Sequence, residues 1–184
     1  MNKKDQKLLL SLARNAIISI FNDTDPDISQ VGHLTQLKGS FVTLHKHGQL
    51  RGCIGFPKPI MPLYEQIIAS SKGAAFDDPR FTPLAKNELK DIVIEISLLS
   101  RPELIKGNSP EEYIKNISIG SDGLIISGAS SALLLPQVAV EYNLDAEKFL
   151  ESVSEKAGLS KDSWKNPENK IYKFKAEIFS EDVA

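Results

Sequence analysis

One cysteine, Cys53, stands in 184 residues. A single thiol excludes an internal disulfide and a zinc site built on several thiolates, and it fits a reducing, cytoplasmic compartment. No apolar run approaches the roughly eighteen residues of a membrane span, so no membrane association is expected. The opening Met1-Asn2-Lys3-Lys4-Asp5-Gln6 lacks the apolar region and small-residue cleavage site of a signal peptide. Charge of one sign is lacking too. Twenty-two basic and 24 acidic residues leave a formal charge of −2, which predicts neither a histone-like coat nor a polyacidic tail. Gly52-Cys53-Ile54-Gly55 has neither the spacing nor the downstream lysine of a phosphate-cradling loop. The three histidines, at 33, 45 and 47, lack convincing ligand spacing with carboxylates. Neither a metal nor a cofactor is expected.

What is present is the ordinary mixture of a globular chain, 41% apolar and 25% charged, at a length suited to one domain over 1–184 or one large and one small lobe. Leu9, Leu12, Ala13, Ala16, Ile17 and Ile20 recur at helical spacing over 3–22, and Asp23-Thr24-Asp25-Pro26-Asp27 ends that helix. Phe41–His45 and Gln49–Phe56 read as a hairpin around Gly48, followed by a helix over Leu63–Lys72 and a stiff loop at Asp78–Pro83. Ile92–Leu99 is a β-branched strand, and Ser109-Pro110-Glu111-Glu112 starts a short helix. Ile117–Ile119 and Leu124–Ser127 read as a second hairpin turning at Asp122-Gly123. Short helices are expected from Pro136 and from Asp145 to about Ala157, stopped by Gly158, and a last strand over Ile171–Phe179. Hairpins dominate, so the fold class is α+β with a mostly antiparallel sheet flanked by helices.

Arg51-Gly52-Cys53-Ile54-Gly55 concentrates the chemistry. Placing Val42, Leu44, Leu50 and Ile54 on one buried face sets Leu44 opposite Leu50 and makes Lys46-His47-Gly48 a three-residue loop. Arg51 and Cys53 are then same-face neighbours about 7 Å apart, close enough for the guanidinium to favour the thiolate. The same register puts His45 roughly 13 Å from the position facing Cys53, too far for a cysteine–histidine pair. A lone cysteine is equally well an inert core residue, and Gly52 and Gly55 serve either a ligand's approach or a helix packed close.

From Ile28 to Tyr64 there is no Asp or Glu, while Lys38, Lys46, Arg51, Lys58 and all three histidines fall inside. That stretch reads as a pocket attracting a carboxylate, a phosphate or an RNA backbone, or as a solvated hairpin rim. Asp77, Asp78 and Arg80 form either an acid–base or metal-holding cluster or a turn locked by an ion pair. Glu95, on an apolar strand, needs a partner, for which Arg51 or Arg80 would serve. Trp164 and Leu133-Leu134-Leu135-Pro136 read as core.

Gly39-Ser40-Phe41-Val42-Thr43-Leu44, Leu50-Arg51-Gly52-Cys53-Ile54-Gly55, Ala74-Ala75-Phe76-Asp77-Asp78-Pro79-Arg80-Phe81 and Glu95-Ile96-Ser97-Leu98-Leu99 together resemble the AMMECR-one domain family. Leu133-Leu134-Leu135-Pro136-Gln137-Val138-Ala139, Phe149-Leu150 and Lys156-Ala157-Gly158-Leu159 extend the likeness in order along the chain. The resemblance implies two unequal lobes with a cleft between them and association with a Memo-like and a radical-SAM protein in a shared modification pathway. Carried over by motif, its candidate site residues are Arg51, Cys53, Asp78 and Arg80, with Glu95 added. A second family cysteine is replaced here by Ser152-Val153-Ser154-Glu155, which argues against a two-thiol role.

Two functions stand against each other on these residues. One is an enzyme or enzyme subunit, with Cys53 as nucleophile and Arg51, Arg80, Asp78 and Glu95 binding a small anionic substrate. The other is a binding or scaffold module for RNA, a nucleotide, a peptide or a Memo-like or radical-SAM partner. Oligomeric state is left open by the sequence.

Overall fold

The computed structural model describes residues 1–107 and 109–181, as an α+β protein with antiparallel strands. The chain divides into two compact units, Met1–Leu98 with the stretch from Glu177 onward, and Leu99–Ala176.

The first unit holds α1 (Lys3–Asn22), β1 (Ser40–Lys46), β2 (Gln49–Phe56), α2 (Leu63–Phe76) and β3 (Ile92–Leu99). Helix α1 forms where the apolar spacing predicts it. The Asn2 side chain accepts the Asp5 N–H at its start, and Asp23 turns left-handed (φ 52°) at its end. Leu9, Leu12, Ala13, Ala16 and Ile17 are buried, whereas Ile20 is exposed. The strands run in the order β2-β1-β3, all antiparallel, which leaves β2 at the edge. Val42, Leu44, Ile94 and Ile96 point from one face into a core shared with Leu9, Leu12, Ile17 and Ile67. The opposite face carries Phe41, Thr43, His45, Cys53, Glu95 and Ser97, since strand side chains alternate. Helix α2 lies close against β2. A Cβ on Gly52 would come within 2.0 Å of the Ala74 carbonyl oxygen, and one on Gly73 within 3.0 Å of Ile54. Close helix packing, one of the two readings of Gly52, is what the structure shows.

The expected three-residue loop is replaced by a two-residue one. Lys46 pairs with Gln49, and the turn is His47-Gly48, both left-handed (φ 52° and 76°) as a type I′ turn requires. A β-bulge then shifts the register: His45 pairs with Leu50 but Leu44 with Gly52, leaving Arg51 unpaired between them. The bulge lets the tighter turn coexist with Leu44 and Ile54 on one apolar face.

The second unit contains β4 (Glu103–Leu104), α3 (Pro110–Lys115), β5 (Asp122–Ser127), β6 (Ser131–Leu134), α4 (Pro136–Glu141), α5 (Ala146–Lys156) and the start of β7 (Lys170–Ser180). Its strands are ordered β7-β5-β6, with β4 on the other side of β7. Phe149, Leu150, Val153, Trp164, Leu124 and Ile126 are buried together. The Asp145 side chain caps α5 through the Lys148 N–H, and Gly158 (φ 73°) follows its end. The expected hairpin between 117–119 and 124–127 is not formed. Asp122-Gly123 begins β5 instead of turning, and the hairpin partner of β5 is β6. The reason is packing. Asp122 is buried, accepts the Ser118 N–H at 2.8 Å and pairs with Lys175 at 2.6 Å, while a Cβ on Gly123 would meet the Phe174 ring at 2.3 Å.

Candidate functional site

The bulge decides which candidate residues meet. Thr43 is paired with Cys53 on one side and with Glu95 on the other, so Cys53, Thr43 and Glu95 form a row across three strands on the face away from the α1–α2 core. The expected alternation that made Arg51 and Cys53 same-face neighbours is broken by the bulge at Arg51.

Cys53 is half-buried. The Thr43 hydroxyl donates to its sulfur at 3.3 Å. Its backbone N–H, on the outer side of an edge strand where no further strand follows, donates to Asp78 Oδ2 at 2.9 Å. Asp78 is itself buried and stands two residues past the end of α2, in a turn closed by the Phe81 N–H to its carbonyl. The same carboxylate accepts from the Arg80 backbone N–H (3.1 Å), Nε (3.0 Å) and Nη2 (2.7 Å). Asp-Pro-Arg is therefore a turn locked by an ion pair, and the lock also grips β2 at Cys53. Hydrogen bonds from Arg80 first, then from the Cys53 N–H, hold the Asp78 carboxyl far below the usual carboxylate range against its burial. Asp78 raises the Arg80 guanidinium in turn, and negative charge on Cys53 adds to the same effect, so sulfur and guanidinium lie within electrostatic reach. Arg80 remains 55% exposed and stacks over Phe81 with 5.4 Å between guanidinium carbon and ring centre.

Arg51 is engaged elsewhere. Its Nε and Nη2 donate to the two oxygens of Glu88 at 3.1 and 2.9 Å, and Lys46 adds a third contact at 2.8 Å. The Arg51 side chain is only 12% exposed, and its Nη1 is buried with no hydrogen-bond partner. Arg51 chiefly, then the Ala85 N–H and Lys46, pull the Glu88 carboxyl down to about 2. The acid-free stretch is thus met by acids from other segments: Glu88 for Lys46 and Arg51, Asp5 for His33 at 3.4 Å, and Glu95 for His45 at 4.0 Å. Glu95 meets His45, where Arg51 or Arg80 was expected.

Of the residues singled out, Cys53, Asp78 and Arg80 come together, Glu95 stands one strand beyond Thr43, and Arg51 turns to Glu88. The sequence gives Thr43, on the face expected for Cys53, no role in the site, and Glu88 no mark at all. Thr43 is findable once the hairpin register is known. Glu88 carries no local signal, since its partner lies 37 residues away. No group of three or more His, Cys, Asp or Glu arranged to hold a metal ion occurs among the described residues. Nor is any described helix long and apolar enough to cross a membrane.

An antiparallel α+β unit whose edge strand is held at the Cys53 backbone by an Asp-Pro-Arg turn sets the class of fold and site. The AMMECR1 family model matches residues 10–179, and the chain belongs to that family. Among its relatives, a protein of Thermococcus onnurineus is 47% identical over 96% of this chain and 90% of its own length. One from Pyrococcus furiosus is 46% identical over 96% and 88%. The crystal structure of an uncharacterized protein from Pyrococcus horikoshii is similar with a TM-score of 0.92 and 41% identity, covering all of this chain and 94% of the other.

Proposed function

We propose that the chain is an enzyme or enzyme subunit in which the Cys53 thiol and the Arg80 guanidinium receive a small anionic substrate. The observation that carries this reading is the double grip of Asp78. One buried carboxylate fixes the Cys53 backbone and the Arg80 side chain together, so an exposed cation is held beside a half-buried nucleophile. In that geometry the substrate's negative group pairs with Arg80 while its electrophilic atom faces the sulfur.

Charge-matched alkylating reagents test this. Iodoacetate mimics an anionic substrate and iodoacetamide a neutral one. Cys53 should prefer iodoacetate, relative to a free thiol, by roughly threefold, the range of an exposed ion pair. Arg80→Gln should return the ratio to that of the free thiol. Equal ratios in wild type and Arg80→Gln overturn the proposal.

A second reading, a non-catalytic module for RNA, a nucleotide, a peptide or a Memo-like or radical-SAM partner, is favoured by one contact. The Thr43 hydroxyl donates to the sulfur, whereas an activating base would accept its proton. Under that reading Cys53→Ser leaves partner binding unchanged.

A further inference from the structure

On the first unit a groove of about 760 Å³ opens along β3, reaching Glu95 and His45 of the strand row but not lined by Cys53 or Thr43. Such a volume suits a small-molecule site. His45 and Glu95 stand on its wall, with His47 at the hairpin turn, Lys90 and Asp91 just before β3, and the ion pair of Arg14 with Glu181 closing one side. The expected register kept His45 and Cys53 apart. The observed one does not. Thr43 lies directly opposite Cys53, and His45 is two residues further along β1 on the same face. Cys53 and His45 are thus diagonal neighbours, with Cα atoms roughly 7–8 Å apart and side chains able to reach each other. Glu95 is the matching diagonal neighbour on β3, and there the reach is realised: Glu95 Oε2 approaches His45 Nε2 at 4.0 Å. Nucleophile, imidazole and orienting carboxylate therefore share one face in the order a base-activated thiol needs.

We infer that His45, with Glu95 beside its Nε2, is the proton acceptor and donor for Cys53, and that the groove admits substrate on the His45 side of the pair. The inference deepens the proposed function and rests on Cys53 being its reacting group. Nδ1 is the nitrogen left to face the thiol. It takes the proton from Sγ, leaving a thiolate and an imidazolium whose Nε2–H points at the Glu95 carboxylate. When the sulfur forms its bond to carbon, the leaving group departs with the electron pair of the broken bond and the imidazolium returns its proton to that group or to water. Side-chain contacts of this kind are commonly long without substrate and tighten when it binds. His45 is 32% exposed, so its ring can tip towards Cys53 while Nε2 keeps facing Glu95.

The pH profile of Cys53 alkylation by neutral iodoacetamide is the test. Wild type should show a reactive shoulder well below the pH at which a free thiol ionises. His45→Gln should lose that shoulder, with the rate there falling roughly tenfold, and added imidazole should restore part of it. Glu95→Gln should weaken the shoulder, because the imidazolium loses its counter-charge. An unchanged profile in folded His45→Gln overturns the inference. A measurement on the unmutated chain stands beside it: the NMR titration of His45 should shift when Cys53 is blocked by methyl methanethiosulfonate, and an unshifted titration overturns the inference equally. The two proposals fail separately. Loss of the Arg80 effect on the iodoacetate ratio leaves the His45 shoulder in place, and loss of the shoulder leaves the Arg80 effect in place.

Discussion

Replacing Gly52 by alanine is expected to cost about 3 kcal/mol of stability, at the upper end for an overpacked core position. The added methyl would lie 2.0 Å from the Ala74 carbonyl oxygen, and that oxygen belongs to the last turns of α2. A flexible side chain could swing away from such a clash, but a helix backbone cannot, so α2 must shift as a body. The shift reaches the site, because α2 ends at Phe76 and Asp78 follows two residues later. Moving it lengthens the 2.9 Å bond from the Cys53 N–H and loosens the grip on Arg80. The variant should therefore lose both its urea midpoint and its preference for iodoacetate. Gly48→Ala is the control. Gly48 is also constrained (φ 76°), but nothing lies within 4 Å of its missing Cβ, so only left-handed strain of about 1 kcal/mol is at stake. If Gly52→Ala proves as mild as Gly48→Ala, the close approach of α2 to β2 is wrong.

Regular elements were legible where periodicity and caps agree. Helix α1 follows from its apolar spacing, and β3 from the β-branched residues of Ile92–Leu99. Two positions misled, for different reasons: the first is that a glycine beside a polar residue marks a turn only when nothing else demands the glycine. At Asp122-Gly123 the Phe174 ring demands it, from 51 residues later in the chain. At the first hairpin the turn was seen but its length was not. Matched apolar faces favour Leu44 against Leu50, while the chain keeps the tighter turn and absorbs the extra residue as a bulge at Arg51. That one-residue shift also rearranged the candidate site. It took Arg51 away from the expected same-face place beside Cys53 and brought His45 nearer. Asp78 and Arg80 were legible as a locked turn from Asp-Pro-Arg itself, but their hold on Cys53 depends on β2 being an edge strand, a fact of sheet order that no local pattern carries.

The role lost by Arg51 returns as a stability device, and Glu88→Gln exposes it. Glutamine keeps the shape of Glu88 but removes the charge that neutralises a guanidinium only 12% exposed, whose Nη1 already lacks an acceptor. Breaking one partner of such a pair strands the other charge, a loss of about 3 kcal/mol at pH 7 for a site open on its Lys46 side. The pH dependence gives the sign. The folded Glu88 carboxyl titrates at about 2, below its ordinary 4.5. The native state therefore holds its charge more firmly than the unfolded chain does. Its stabilisation is complete above pH 4.5 and is lost as the pH falls towards 2. The gap between wild type and Glu88→Gln in urea midpoints should accordingly be widest at neutral pH and close progressively between those values. The variant keeps some acid sensitivity of its own, since Asp78 is depressed further still and loses its contribution at lower pH. A gap that stays constant from pH 7 to pH 2 would mean that Glu88 acts through packing alone. Arg51 would then be loosely enough held to turn towards an anion, as its place beside Cys53 in the sequence first implied.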